Sequence, residues 1–248
     1  MDDDTTSTVL DSTSNNNDCT KRAAGEPYVG LTSKGMVQNY DGDTDYIKIA
    51  HADAEDFDFE DGSFTAMVFV FPYGLSDHDG LIGKGDYGSG GWYTNLRGDG
   101  CVRLAVDPSG GDQNYYASVT GTVVTNNWHL LHLVKNGSTG NIYKNGSEVS
   151  YSVTQSLANV DSTTEDFRIG NKDGLTQVLN GPIAEVRVSS GVRNSAWIKA
   201  TYNSLFNTLL TYGSEEAASG WTGKICGVTN PSKICGIAVA DITKVCGV

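Results

Sequence analysis

Residues 181–204, GPIAEVRVSSGVRNSAWIKATYNS, hand a strand pattern to a helix pattern across one turn. Over 183–188 apolar and polar side chains alternate with period two, which fits a strand with one buried face. Past the turn, Trp197, Ala200 and Tyr202 fall near a common face of a short helix. Only residues 195–210 offer a plausible helix anywhere in the chain, so the core must be built from strands.

Composition agrees. The chain has 248 residues with 30 Gly, 5 Pro and 38% hydrophobic residues, enough for a sizeable core. No apolar run approaches the roughly 18 residues that a membrane-crossing helix needs, so membrane insertion is not expected. Short apolar stretches are separated by Gly, Asn, Asp and Ser clusters, as in an all-β sandwich. Asn145-Gly146, between 141–144 and 148–151, marks the clearest hairpin, because both residues tolerate the positive φ of a type I′ turn.

The strand-to-helix junction resembles the closing signature of the concanavalin A-like, laminin-G-like jelly rolls, "G-x-I-D-E-V-R-(I/V)" followed by "A-x-W-I-x-x-x-Y"; Ala184 stands where that signature has Asp. Four further stretches are similar to family strands in the same order. NYDGDTDYI at 39–47 matches "F-D-G-x-D-D-Y-(V/I)", and DGSFTAMVFV at 61–70 matches "G-D-F-T-I-S-A-W-V". WHLLHL at 128–133 matches "W-H-H-V-A-V", and NIYKNG at 141–146 matches "x-x-x-Y-(V/I)-N-G". The opening residues resemble the family's first strand as well. The resemblance implies a two-sheet antiparallel jelly roll over residues 1–212 with one short C-terminal helix, followed by a β-rich tail at 213–248.

The formal charge of −13 and pI near 4.5 argue against affinity for nucleic acid or anionic membranes, which call for a basic surface. Nine carboxylates fall between Asp41 and Asp61 beside a single Lys48. One reading is a solvated edge and loop. The other is a calcium site, since Ca²⁺ takes six to eight hard oxygen ligands; calcium in related jelly rolls makes Asp41, Asp43 and Glu185 the ligand candidates. Asp41, Asp43 and Asp45 would share one strand face unless Gly42 turns the chain between them.

The tail carries three near-repeats, KICGV at 224–228, KICGI at 233–237 and KVCGV at 244–248. It resembles the "K-(I/V)-N-G-V" repeats that close phage and phage-like structural proteins, with Cys in place of Asn. A segment this short cannot bury a core alone, so it implies packing against its own jelly roll or assembly with copies or other virion proteins. Cys226, Cys235 and Cys246 could link subunits as disulfides or fill small apolar niches; an odd total of five cysteines leaves at least one thiol free or intermolecular. No C-x-x-C pair points to zinc or thioredoxin-type chemistry. Met1 followed by three aspartates is the reverse of a secretory n-region, so a virion protein released by lysis, or another extracellular protein, is the expected setting.

Glycanases of this fold carry alternating acids on one strand. Asp56-Phe57-Asp58-Phe59-Glu60 has the alternation but begins with Asp, and it aligns with a family lead-in whose phenylalanines point inward. The scattered histidines and the absence of a G-x-S-x-G elbow likewise give no catalytic constellation, so no enzyme is expected. Glycan binding is the better candidate. The glycine-rich stretch 83–93 carries Tyr87, Trp92 and Tyr93, and a second loop carries Tyr115 and Tyr116; such rings can stack on sugar faces or serve as core. The sequence thus points to a non-catalytic structural component of a virus-like particle of phage type, on the capsid or tail surface, that can bind host glycans. Its alternatives are a soluble lectin and a jelly-roll glycan hydrolase.

Overall fold

The computed structural model describes residues 7–23, 26–60, 62–108, 112–172 and 177–206, together with four two-residue strands of the tail. It separates into two compact units, Met1–Phe206 and Asn207–Val248. In the first unit the strands are β1 (Thr8–Val9), β2 (Cys19–Lys21), β3 (Tyr28–Thr32), β4 (Gly35–Asp41), β5 (Ile47–Ile49), β6 (Phe64–Val70), β7 (Asp79–Asp86) and β8 (Gly90–Leu96). They continue as β9 (Val102–Val106), β10 (Asn114–Ser118), β11 (His129–Asn136), β12 (Thr139–Lys144), β13 (Ser147–Glu148), β14 (Tyr151–Thr154), β15 (Phe167–Ile169) and β16 (Asn180–Ser190). Among the described residues one α-helix, α1, spans Ser195–Leu205.

Among the described residues of this unit all strand pairings are antiparallel and make two sheets, a nine-stranded one ordered β1-β2-β5-β15-β7-β8-β9-β10-β14 and a seven-stranded one ordered β13-β12-β11-β6-β16-β4-β3. This is the two-sheet jelly-roll sandwich that the sequence implies. The inner faces of both sheets share one core, in which the Phe64 and Trp92 rings meet at a tilt with centroids 4.4 Å apart and Phe57 stacks on Phe167 at 4.2 Å. Burying each such ring removes on the order of 2–3 kcal/mol of unfavourable hydration. The Asn145-Gly146 turn has positive φ at both residues (52° and 77°), as a type I′ hairpin requires.

The helix begins where Asn194 Oδ1 accepts the Trp197 N–H at 2.9 Å, an N-cap. Its inward side is Ile198, Tyr202 and Leu205, spaced i, i+4, i+7, and not the Trp197, Ala200, Tyr202 face expected from the sequence. Ala200 is exposed, and Trp197 is half-buried with its ring 5.9 Å from that of His132. Tyr202, Leu205 and Phe206 pack on Val37, Met67, Phe69, Leu130 and Ala184, which form the outer face of the seven-stranded sheet.

In the second unit β17 (Lys224–Ile225) pairs with β18 (Val228–Thr229), and β19 (Lys233–Ile234) with β20 (Ile237–Ala238). Cys226, Cys235 and Cys246, the disulfide or interface candidates, lie outside the described residues. Cys19 and Cys101 are buried free thiols, and burial pushes the Cys19 thiol up to about 12. No helix among the described residues is long and apolar enough to cross a membrane.

Candidate functional site

An open cleft of about 890 Å³ lies at one end of the sandwich, lined by His51, Glu55, Asp56, Asp58, Phe59, Glu60, Gly62 and residues 162–164. Two single-turn 3₁₀ helices, His51–Asp53 and Glu55–Phe57, lead from β5 into this wall. Phe57 is the anchor: its ring enters the core, and its carbonyl accepts the indole N–H of Trp92 at 2.8 Å. The chain then reverses through left-handed backbone at Phe59 (φ 49°) and Glu60 (φ 25°), a conformation uncommon for residues with a side chain. The opposite wall is held because β15 inserts between β5 and β7, which carries the preceding Ser162, Thr163 and Thr164 to the cleft. The Thr163 hydroxyl donates to the Ser89 carbonyl at 2.9 Å.

Lys84 is tied to the cleft residue Asp58. Its side chain is fully buried and its Nζ meets Asp58 Oδ1 at 2.5 Å. A buried ammonium requires such a partner, so Asp58 is committed to the fold. Glu55, Asp56 and Glu60 remain exposed, and together with Ser162 and Thr164 they offer many oxygen acceptors and few cations. That lining suits a ligand rich in hydroxyl donors. The expected alternation of Asp56, Asp58 and Glu60 on one strand is absent. A 3₁₀ turn followed by left-handed backbone replaces the strand, and the middle acid is ion-paired.

The five aromatic candidates part company. Tyr87 is 60% exposed at the tip of the β7–β8 turn, whose Ser89 is bonded to the cleft wall. Trp92 is 0% exposed and cannot stack on a ligand: it opens β8 on the inward side and fills the core. Tyr93 faces outward yet is 2% exposed, because Lys172 lies over its ring at 4.8 Å and its hydroxyl is bonded to Gln113. Tyr116 packs against the core and edge-on to Tyr151. Tyr115 is half-buried beneath the Arg103 guanidinium at 4.1 Å.

Tyr93 and Tyr115 belong to a second feature, the outer face of the nine-stranded sheet. Gly83, Tyr93, Ala105 and Tyr115 form one cross-strand row, and Asn95, Arg103 and Ala117 the next. Gly80 is paired with Asn95, and the backbone of Asn171 and Lys172 packs directly over it where a Cβ would otherwise stand. Lys172 then reaches Asp86 at 2.6 Å. Both amide atoms of Asn95 and Asn171, Arg103 Nε and Asp107 Oδ1 are buried with no hydrogen-bond partner. Burial raises the Asp107 carboxyl above its ordinary value, and the charge of Asp86 adds to that. Buried polar groups without protein partners mark a place for ordered water.

Asp41, Asp43 and Glu185 do not fit a calcium ion. Gly42 turns the chain, so Asp41 Oδ1 accepts the N–H groups of Asp43 and Thr44 in an Asx turn, and Asp45 Oδ2 accepts that of Asp41. Glu185 sits five residues beyond Asn180, the partner of Asp41, or about 15 Å along the strand, and it pairs with Arg187. Among the described residues no group of three or more His, Cys, Asp or Glu could hold a metal.

Sequence reasoning missed His51, Lys84 and residues 162–164. Lys84 alone had a signal, a single cation within the glycine-spaced apolar stretch DGLIGKG at 79–85.

The family model of the concanavalin A-like lectin/glucanases superfamily matches residues 41–199. No curated protein is similar in sequence to this chain. Among solved structures, the binding domain of Paraclostridial mosquitocidal protein 1 is similar with a TM-score of 0.65 and 15% identity, covering 80% of this chain and 50% of that one. Domain 4 of AbnA, an extracellular GH43 arabinanase from Geobacillus stearothermophilus, in complex with arabinotriose, gives 0.55 and 16%, covering 73% and 86%. The binding domain of botulinum neurotoxin DC in complex with SialylT gives 0.56 and 12%, covering 79% and 48%. At such identities the likeness is one of fold, and the chain spans about half the length of the toxin binding domains it matches.

Proposed function

We propose that this chain, which belongs to the concanavalin A-like lectin/glucanases superfamily, is a non-catalytic carbohydrate-recognition module on the surface of a virus-like particle of phage type. The observation that carries the reading is the open, acceptor-rich cleft between residues 51–62 and 162–164, with the exposed ring of Tyr87 on the adjoining turn. Carboxylate, hydroxyl and carbonyl oxygens accept hydrogen bonds from sugar hydroxyls, while an exposed phenol offers a flat face for a pyranose ring. Support also comes from similar folds solved in complex with saccharides, arabinotriose for the arabinanase domain and SialylT for the neurotoxin domain. Binding is favoured over hydrolysis because Asp58 is tied to Lys84 and the neighbouring acids do not alternate along a strand.

The particle role rests on the tail, whose Lys-Ile-Cys-Gly repeats recur with short paired strands around them. A glycan array probed with the full chain should return a defined set of neutral or weakly charged saccharides. Tyr87→Ala and Asp56→Ala should each weaken those hits about five-fold or more without lowering the melting temperature, since both residues are exposed. Binding that is unchanged in both variants would dismiss the cleft, and an empty array would leave a purely structural shell component. Deleting residues 221–248 should lower the multimeric mass seen by light scattering; an unchanged mass would remove the assembly role from the tail.

A further inference from the structure

We infer that the Arg103 guanidinium, on the outer face of the nine-stranded sheet, anchors a second ligand site, one that takes a hydroxylated carboxylic acid. Arg103 lies on β9, directly across from Asn95 of β8 on one side and Ala117 of β10 on the other. It is 6% exposed, its guanidinium rests over the Tyr115 ring at 4.1 Å, and its Nε is buried with no hydrogen-bond partner. A buried cation ordinarily has an anion beside it, because surroundings of low dielectric penalise a charge that nothing neutralises.

The neighbouring carboxylates do not fill that role. Asp86 is paired with Lys172 at 2.6 Å, and Asp77 with Arg97 at 3.5 Å. Asp79 accepts the Ser76 N–H, Asp99 that of Cys101 and Asp107 that of Gly88. Burial holds the His78 imidazole below its ordinary value against the pull of Asp77, and the positive charges of Arg103, Lys172 and Arg97 add to that. Three cations thus converge on one region. Lys172 and Arg97 have their anions, and among the described residues Arg103 has none.

The groups around Arg103 specify the partner it lacks. A guanidinium fork matches a planar carboxylate in both charge and shape. Beside it the Asn95 amide has neither Nδ2 nor Oδ1 partnered, and the same holds for Asn171, in the segment that packs over Gly80, the cross-strand partner of Asn95. Each amide offers a donor and an acceptor, and a hydroxyl group answers both. A ligand that satisfies all of these groups carries a carboxylate for Arg103 and hydroxyls for the amides. That is the chemistry of a sugar acid or of a small hydroxy acid, whose oxygens would take the places that ordered water otherwise takes.

This ligand goes beyond the saccharide reading of the cleft and shares no residue with it. Titration calorimetry of the full chain with glucuronate, lactate, acetate and glucose separates the sources of the carboxylate. Both hydroxylated acids should bind more tightly than acetate; glucuronate ahead of lactate assigns the site to a sugar acid, and the reverse order to a free hydroxy acid. Arg103→Met and Arg103→Lys should each weaken the tighter acid about ten-fold or more, since lysine keeps the charge and loses the fork. Without ligand Arg103→Met should melt no lower than wild type, so that lost binding is not lost folding. Asn95→Leu should weaken the same acid about five-fold and leave acetate unchanged, because the amide reads the hydroxyls. Tyr87→Ala and Asp56→Ala, which test the cleft, should leave acid binding as it is. Acetate binding as tightly as the hydroxylated acids would overturn the ligand class. Acid binding that survives Arg103→Met, or none by the wild type, would overturn the site and leave ordered water as the partner of these groups.

Discussion

The two outer faces of the sandwich obey the same period-two alternation and differ in chemistry. On the seven-stranded sheet the outward residues are Val37, Met67, Phe69, Leu130 and Ala184, and α1 covers them with Tyr202, Leu205 and Phe206. On the nine-stranded sheet they are Tyr93, Asn95, Arg103 and Ala105, and the cover is the irregular segment at Asn171 and Lys172. An apolar face gains from any close-fitting cover, because hydrophobic burial has no direction. A polar face gains only where each group finds a partner, and here several do not. The first face is a place of stability; the second carries buried polar groups that cost stability unless ordered water satisfies them.

Opposite responses to substitution test that contrast. The largest effect belongs to Phe69→Ala, which empties a site packed by Trp128 at 4.6 Å and Phe206 at 5.3 Å and should cost about 3–4 kcal/mol in urea denaturation. A loss below about 1 kcal/mol would mean that the helix does not depend on this face.

Next is a titratable group buried on the apolar side, His132. Burial, aided by the charge of Arg187, pushes the His132 imidazole down to about 4, from an ordinary value of 6.5. The unfolded chain therefore takes up a proton that the folded chain refuses. Stability is fully present above pH 6.5 and is lost as pH falls from there toward 4, by on the order of 3 kcal/mol. His132→Leu should flatten that part of the pH–stability curve; an unchanged slope would place the titration elsewhere.

On the polar face the sign should reverse. Arg103→Met keeps the stem against Tyr115 while removing a buried guanidinium that has no ion pair or hydrogen bond among the described residues, and should stabilise by about 1 kcal/mol. Asn95→Leu deletes an amide with neither atom partnered and should be neutral or stabilising by less than about 1 kcal/mol. Losses of 2 kcal/mol or more in both variants would show the polar groups to be well satisfied and erase the difference between the faces.

Local rhythm determined the elements of this protein. The alternation at 183–188, the Asn145-Gly146 turn and the start of the helix at Ser195 depend on dihedral preferences and spacing within a few residues, so they are legible one segment at a time. The family motifs added the sheet architecture for the same reason, since each motif is a single strand. Tertiary structure alone decided which parity of each strand faces in, because alternation separates two faces without saying which is covered. Trp92 in a glycine-rich stretch could be read as an exposed platform until β8 was paired and its indole fell beside Phe64. The cleft was equally out of reach. Its walls at 51–62 and 162–164 are about a hundred residues apart and meet only because β15 enters the sheet between β5 and β7, a long-range pairing that no local pattern encodes.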